Sequence, residues 1–581
     1  MSPGERPKTQ GVRAIYGLLA LIAAGVALFY ADRVFYELPV YAAAEAGHLI
    51  SALYGPALAA HPDLFPDLAQ RREPAFDLLI RAVTYATQNL APWMRVGGGL
   101  AYFAGLGCVF LAVRPSLDRR RALAFALLAL AFPYYRFAFA VLPTGWTVAL
   151  IGLAILATAR LVFVRPLAHA AAVGAICGLL CMMGPHGLAL AAAFLLLALA
   201  DLALGRRDLR IFAGRIVVFA LALLACANLV LLLADQPLDA PFSSFLDPRL
   251  LALAGGLDPQ AASIGGRAFV AMAAASLMLA GAPALTGLLR IELRWRWTRK
   301  RTQFHLEPLE AAFLLAALAL AASLVLIALL AMADGADPAR IWGRQFEFFT
   351  PLLWLAAAPF LREFERGGGR WWRIAVSLTA LIGLAGFAGR LLTGAAVRAW
   401  DAAALDAFSD QPQVLAPLAC GVIVLAALAM FSRRLAVERV WIGAFVALGV
   451  LSTVGDAAWR ADETPSRLSL IAEATAADAL ASGRPGQVTV LAQDVAQARL
   501  IYWRLRGRPE AVIVSAGAPD PASLAHADMV VADRPATPGP GWRALLHGRE
   551  ISVFVRDGAG APPARAKSTR VGGLLSAPGS G

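Results

Sequence analysis

From Arg290 to Met332 the chain reads RIELRWRWTRKRTQFHLEPLEAAFLLAALALAASLVLIALLAM. The first half gathers Arg290, Arg294, Arg296, Arg299, Lys300 and Arg301. The second half, from Leu309, stays apolar for longer than the roughly 20 residues a helix needs to cross the hydrocarbon of a bilayer. The alternation repeats. Arg114/Arg119/Arg120/Arg121, Arg206/Arg207/Arg210, Arg362/Arg366/Arg370/Arg373 and Arg433/Arg434/Arg439 lie in short gaps between apolar runs, and the intervening gaps are poorer in Arg. Lys and Arg beside a spanning helix stay on the cytoplasmic side, so the pattern threads the chain through a membrane and assigns every second gap to the cytoplasm.

Composition agrees. The 581 residues are 59% hydrophobic and 16% charged, and the mean hydropathy is +0.65. A water-soluble chain of this size rarely reaches such values. The net charge of +13 does not indicate nucleic acid. The basic residues are spread over short inter-helix gaps, where lipid headgroups are their counter-ions. Cys108, Cys177, Cys181, Cys226 and Cys420 all fall in apolar segments without zinc or redox spacing, and read as small buried hydrophobes.

Apolar runs of spanning length begin near Val12, Pro92, Arg121, Val141, Leu167, Pro185, Ile211, Arg267, Leu309, Phe346, Ile374, Val414 and Val440, giving about thirteen transmembrane helices. The first follows Arg6, Lys8 and Arg13, and its length favours a retained helix over a cleaved signal. The odd count puts the N-terminus in the cytoplasm and the C-terminal part outside. The stretch Arg121 to Arg160 is split in two at Phe132-Pro133-Tyr134-Tyr135-Arg136 and Leu142-Pro143-Thr144-Gly145. Residues 1–459 form the membrane domain, and 32–91 its first exoplasmic loop. In that loop Pro39 starts a helix to about Tyr54 that places Tyr41, Glu45 and His48 on one face. A second helix, Pro74 to Asn89, is amphipathic and interfacial. The long gap Asp235 to Gly266 reads as a loop. Beyond Trp459, Val488 to Ala492, Ala511 to Val514, Met529 to Ala532 and Ile551 to Val555 read as strands, with a helix over Ala496 to Arg506. Residues 460–557 thus form a small α/β domain, and 558–581 a disordered tail rich in Gly, Ala, Pro and Ser.

Four stretches carry candidate chemistry. In Phe35-Tyr36-Glu37-Leu38-Pro39-Val40-Tyr41-Ala42, Glu37 stands just after the first span, with Asp32 upstream. A carboxylate there can take a proton from an attacking hydroxyl, or simply solvate the loop. In Arg71-Arg72-Glu73-Pro74-Ala75-Phe76, Glu73 supports a site or favours the first turn of a helix. Arg344-Gln345-Phe346-Glu347-Phe348-Phe349-Thr350-Pro351 enters a late span from outside. Arg344 there suits a phosphate or the headgroups, and Glu347 nearby needs a partner in the bilayer. Cys181-Met182-Met183-Gly184-Pro185-His186-Gly187 holds His186, and Arg136 is a further cation. Gly174 and Gly178 suit close helix packing. Gly97-Gly98-Gly99 lies in a span and is no phosphate loop. There is no Walker motif, metal-ligand cluster or nucleophile elbow. Acids deep in spans are nearly absent, which weighs against an ion-coupled transporter.

On these stretches and this architecture the chain resembles the GT-C membrane glycosyltransferases, in particular the group of protein O-mannosyltransferases and lipid A aminoarabinose transferases. The resemblance covers nearly the whole chain in architecture and only short stretches in residues. It implies an inverting transferase of the cytoplasmic membrane that works on the outer face, moving a sugar from a polyprenyl-phosphate donor to a lipid or glycan acceptor. Glu37 matches the second member of the family's acidic pair, whose first is Tyr36 here; Asp32 is the other candidate base. Arg344, with Arg136 and His186, would bind donor phosphate. Tyr41, Glu45, His48 and Glu73 would support the acceptor side. Met183 stands where many relatives carry a Lys. A need for a divalent metal stays open. The competing readings are a polysaccharide polymerase or ligase, and a non-catalytic scaffold or transporter.

Overall fold

The computed structural model describes Gly17, Val34, Leu68, Leu238, Pro519 and residues 42–60, 64–65, 73–87, 90–203, 208–236, 259–298, 306–333, 340–366, 370–398, 401–409, 414–432, 435–483, 486–515, 521–534 and 536–557. The first apolar run, Asp32, Tyr36, Glu37 and Tyr41, most of the Asp235–Gly266 gap and the 558–581 tail lie outside them.

Two compact units divide at Arg467/Leu468, eight residues beyond the boundary read from the sequence. Helix α1 (Ala42–Ala60) bends at Tyr54, and α2 (Pro74–Ala86) follows. The helices α3 (Leu90–Val113), α4 (Arg119–Ala131), the single turn α5 (Tyr135–Ala138) and α6 (Thr144–Leu161) come next. The break around Phe132-Pro133 is therefore real. Then come α7 (Pro166–Cys181), α8 (His186–Ala203), α9 (Leu209–Leu233), α10 (Pro259–Thr298), α11 (Pro308–Ala333), α12 (Phe349–Ala356), α13 (Ala358–Arg366), α14 (Arg370–Leu392), α15 (Leu415–Ala429) and α16 (Val437–Ser482). Eight helices among the described residues are long and apolar enough to cross a membrane. The shorter α4, α7, α15 and the α12–α13 pair run between the same two ends of the bundle.

Ion pairs sort the gaps by end. At the end where α3 finishes, Glu365 meets Arg121 at 3.2 Å and Arg373 at 3.5 Å, and accepts the Val437 amide. Arg362 pairs with Asp118, Arg290 with Glu363, and Arg294 with Glu307 and Glu310. These cations come from the Arg-rich gaps of the sequence, all on one side. At the opposite end, where α3, α6 and α8 start, the gaps before α5, before α12 and before α15 meet one another, as described below.

Helix contact in a bilayer depends on close backbone approach, because lipid tails are as apolar as the side chains they would replace. Parallel α3 and α6 achieve it with two glycine pairs: a Cβ on Gly145 would strike the backbone of Gly98, and one on Gly152 that of Gly105. Gly174 and Gly178 of α7 do the same against the α9 backbone at Phe219 and Leu223.

The second unit holds a five-stranded sheet in the order β2-β1-β3-β5-β4. Its strands are β1 (Val488–Ala492), β2 (Ala511–Val514), β3 (Met529–Asp533), β4 (Trp542–His547) and β5 (Ile551–Arg556), with α17 (Val495–Arg504) crossing from β1 to β2. β1 pairs parallel with β2 and β3, and β5 antiparallel with β3 and β4. The sequence reading missed β4, whose half-buried Trp-Arg-Ala-Leu-Leu-His lacks a clean alternation.

Candidate functional site

The site lies at the end of the bundle where α3, α6 and α8 begin. It is built from four separated parts of the chain. Glu73 precedes α2, where Pro74 occupies the first turn and tolerates the missing amide. Its backbone carbonyl accepts from Phe76 and Asp77, starting the helix. Its carboxylate does not cap that helix; Glu73 Oε2 lies 3.0 Å from His48 Nδ1 on α1. Both side chains are buried, and the His48 and Phe76 rings meet in a T-shaped contact at 5.1 Å between centroids. Ser51 donates to Asp77 at 3.0 Å and Arg81 to the Ala52 carbonyl at 2.9 Å, so α1 and α2 are tied along their length.

One turn before His48, Glu45 meets Arg95 of α3 at 3.5 Å, with both side chains 1% exposed. A guanidinium this deep is costly unless compensated, and the acid from the preceding segment compensates it. Sequence reasoning passed over Arg95. The signal was present, an ionisable residue at the start of a span.

The amide of Ala75 donates to the Met182 carbonyl at 3.0 Å, bringing the start of α2 against the α7–α8 turn. Glu73 is close enough to His186 to act on it electrostatically. His186 Nε2 lies 2.8 Å from Gln345 Oε1, and its ring meets Phe348 edge-on at 5.1 Å. Glu73, His48 and His186 are thus brought to the stretch that carries Arg344. Tyr134, fully buried, donates to the Arg344 carbonyl at 2.8 Å and packs on Phe348 at 5.7 Å.

Two buried side chains brace the segment before α15. Glu347 answers the need for a partner through backbone: its carboxylate accepts the amides of Ala403, Ala404 and Leu405 at 2.7, 3.1 and 3.2 Å. Arg136 is tied to carboxylates, with Asp406 at 2.7 Å and Asp456 at 3.7 Å, and it also donates to the Ala402 carbonyl at 3.0 Å. Its guanidinium helps pin the segment before α15. Arg340 grips the same segment through both oxygens of Asp401, while the Arg344 amide donates to the Asp401 carbonyl. The long-range carboxylates Asp401, Asp406 and Asp456 had no local sequence signal.

Aromatic contacts lead from this cluster into the bundle. Tyr134 approaches Tyr102 at 5.9 Å, and Tyr102 meets Phe103 edge-on at 5.3 Å. Phe103 is the first wall of an apolar cleft of about 190 Å³ formed by Leu106, Gly107 and Phe110 of α3, Ala126, Ala129 and Leu130 of α4, and Leu355 of α12. Among the described residues no group of three or more His, Cys, Asp or Glu could hold a metal ion. Glu37, Asp32 and Tyr41 lie outside the described residues.

No protein-family model and no curated protein matches the chain. Solved structures similar to it include ArnT from Cupriavidus metallidurans in the apo state, with 15% identity and a TM-score of 0.49 over 93% of this chain and 98% of that one, and the same protein bound to undecaprenyl phosphate, with 16% identity and a TM-score of 0.49 over 94% and 99%.

Proposed function

We propose that the chain is a glycosyltransferase of the cytoplasmic membrane that moves a sugar from a polyprenyl-phosphate donor to a lipid or glycan acceptor on the outer face. The observation that carries the reading is the meeting of His48 and Glu73, from the first loop, with His186 and the Gln345–Arg344 segment. These are positions remote in sequence that the resemblance assigns to one site. Arg344 and His186 take the donor phosphate at a low-dielectric boundary, where a guanidinium fork binds phosphate oxygens strongly. Glu37, with Asp32 as the other candidate, takes the acceptor proton. The cleft beginning at Phe103 offers the donor tail an apolar bed worth about 0.8 kcal/mol per buried CH₂. Direct displacement then needs one base and a stabilised phosphate, and no nucleotide fold. The clustering of the Arg-rich gaps at the opposite end supports the outer placement.

The test supplies the purified protein with radiolabelled polyprenyl-phosphate sugars and a membrane lipid extract. Wild type is expected to transfer label, and Glu37→Gln and Arg344→Ala to lose at least about 10²-fold in rate. Transfer by both variants at the wild-type rate would refute the site.

A further inference from the structure

We propose that the cleft at Gly107 is a length gauge: it holds the donor's polyprenyl tail beyond the bilayer midplane and so selects carriers long enough to reach it. The inference rests on the transferase reading and names what sets donor chain specificity. The space exists because small residues stand where larger ones would close it. Gly107 of α3 and Ala126 and Ala129 of α4 line it, and a Cβ on Gly107 would meet nothing within 4 Å. Leu106, Ala129 and Leu355 are buried and form its floor, whereas Phe103, Gly107 and Leu130 are half-buried at its rim. The cleft is therefore open to what surrounds the bundle, and in a bilayer that is hydrocarbon.

Depth decides the occupant. Helix α3 runs from Leu90 at the site end to Val113 at the lattice end. At about 1.5 Å per residue, Phe103 lies about 20 Å and Phe110 about 30 Å down it. Helix α4 agrees from the other side, where Ala126 lies only about 10 Å from the start at Arg119. Each leaflet supplies about half of a hydrocarbon core of about 30 Å, so the cleft belongs to the leaflet far from the site. An acyl chain of a lipid on the site's face ends near the midplane, short of Phe103. A long polyprenyl tail anchored by its phosphate at the same face passes the midplane and arrives. A track for it is in place. Val96, next to Arg95 at the site end, is followed by Leu100, Phe103, Gly107 and Phe110 at alternating four- and three-residue spacings, all half-buried or exposed. Such spacings form one lipid-facing stripe down the helix. Because lipid tails are as apolar as the cleft, the gain comes from close carbon contacts with α3, α4 and α12 rather than from leaving water.

The experiment measures dissociation constants of the full-length protein in detergent for two probes: geranyl phosphate, whose tail ends within the near leaflet, and decaprenyl phosphate, whose tail crosses it. Wild type, Gly107→Ala and Gly107→Leu are compared, with melting temperature in parallel. The readout is the ratio of the two constants within each protein, which cancels partition of the probes into micelles. Gly107→Leu should remove about tenfold of the preference for decaprenyl phosphate, and Gly107→Ala, whose methyl enters open space, a smaller part of it. Leu111→Ala, exposed on α3 outside the cleft lining, should keep the wild-type ratio. Should Gly107→Leu fail to fold, the Gly107→Ala ratio decides. A wild-type ratio in the folded Gly107 variants would overturn the inference and leave the transferase reading standing; it is also the outcome if a phospholipid chain of the far leaflet fills the cleft. A ratio lost equally in Leu111→Ala would overturn it too. Failure of folded wild type to bind either probe, together with no transfer in the labelled assay, would overturn both.

Discussion

Single side chains here do structural work that looks like site chemistry until their partners are seen. Glu347 is fully buried and accepts three backbone amides. Glu347→Ala would leave three buried donors unsatisfied, at about 1–3 kcal/mol for each group, and should lower the melting temperature steeply; Glu347→Gln, which keeps one carbonyl oxygen, should fall between. Arg136 faces Asp406 and Asp456. Asp456 also holds Arg460 at 3.1 Å, so Arg136→Ala would take the cation from buried Asp406 and cost about 3–5 kcal/mol, and adding Asp406→Asn should restore part of it. A melting series over the single and double variants decides. If Arg136→Ala melts as wild type does, the tie is not structural. Asp533, at the end of β3, behaves differently. Burial pushes its carboxyl up to about 6, assisted by nearby Asp494 and opposed by the Gln493 amide. A raised carboxyl adds stability that is complete below the ordinary aspartate range and is lost as pH rises through about 6. Amides of β1 and β3 should therefore exchange more slowly at pH 4.5 than at pH 7 once intrinsic rates are removed, and Asp533→Asn should erase the difference.

At the scale of elements, the sequence was most legible where one local rule decided the outcome. Pro74 with an acid before it marked the start of α2, and Phe132-Pro133 marked the break between α4 and α6. The buried parallel strands β1 and β3 and the half-buried edge strand β2 were legible as short apolar runs, whereas β4, at the other edge, is interrupted by Arg543 and closed by His547 and was not. Pairings such as Glu45–Arg95 and Arg136–Asp406 join residues 50 and 270 positions apart, and no window of sequence contains both partners. Glycine shows the same divide within one helix. Gly105 and Gly107 of α3 look alike in sequence, yet a Cβ at Gly105 would strike the Val148 backbone of α6, while at Gly107 it meets nothing within 4 Å. Gly105→Ala should therefore destabilise by about 1–3 kcal/mol through overpacking, and Gly107→Ala should stay within about 0.5 kcal/mol of wild type. Thermal melting of the two in one detergent gives the comparison, and equal shifts would contradict the packing of α3 on α6.

For the whole molecule, the consequence of the charge pattern is orientation. Glu365 gathers Arg121, Arg373 and the start of α16 at one end of the bundle, whereas the His48–Glu73 and His186–Gln345 pairs occupy the other. Under the proposed orientation, which follows the positive-inside rule, the ionic lattice faces the cytoplasm and the candidate site the outside, where the proposed reaction would take place. Two exposed positions report on this independently of any activity. Tyr85, at the end of α2, is 91% exposed and belongs to the site end; Arg120, exposed near the start of α4, belongs to the lattice end. With the five native cysteines replaced, Tyr85→Cys in intact cells should react with a membrane-impermeant maleimide, and Arg120→Cys only after permeabilisation. The reverse result would turn the molecule over and place the His48–Glu73 cluster in the cytosol, where the proposed reaction on the outer face could not occur. The packing of the helices, which does not depend on which way the bundle faces, would stand unchanged.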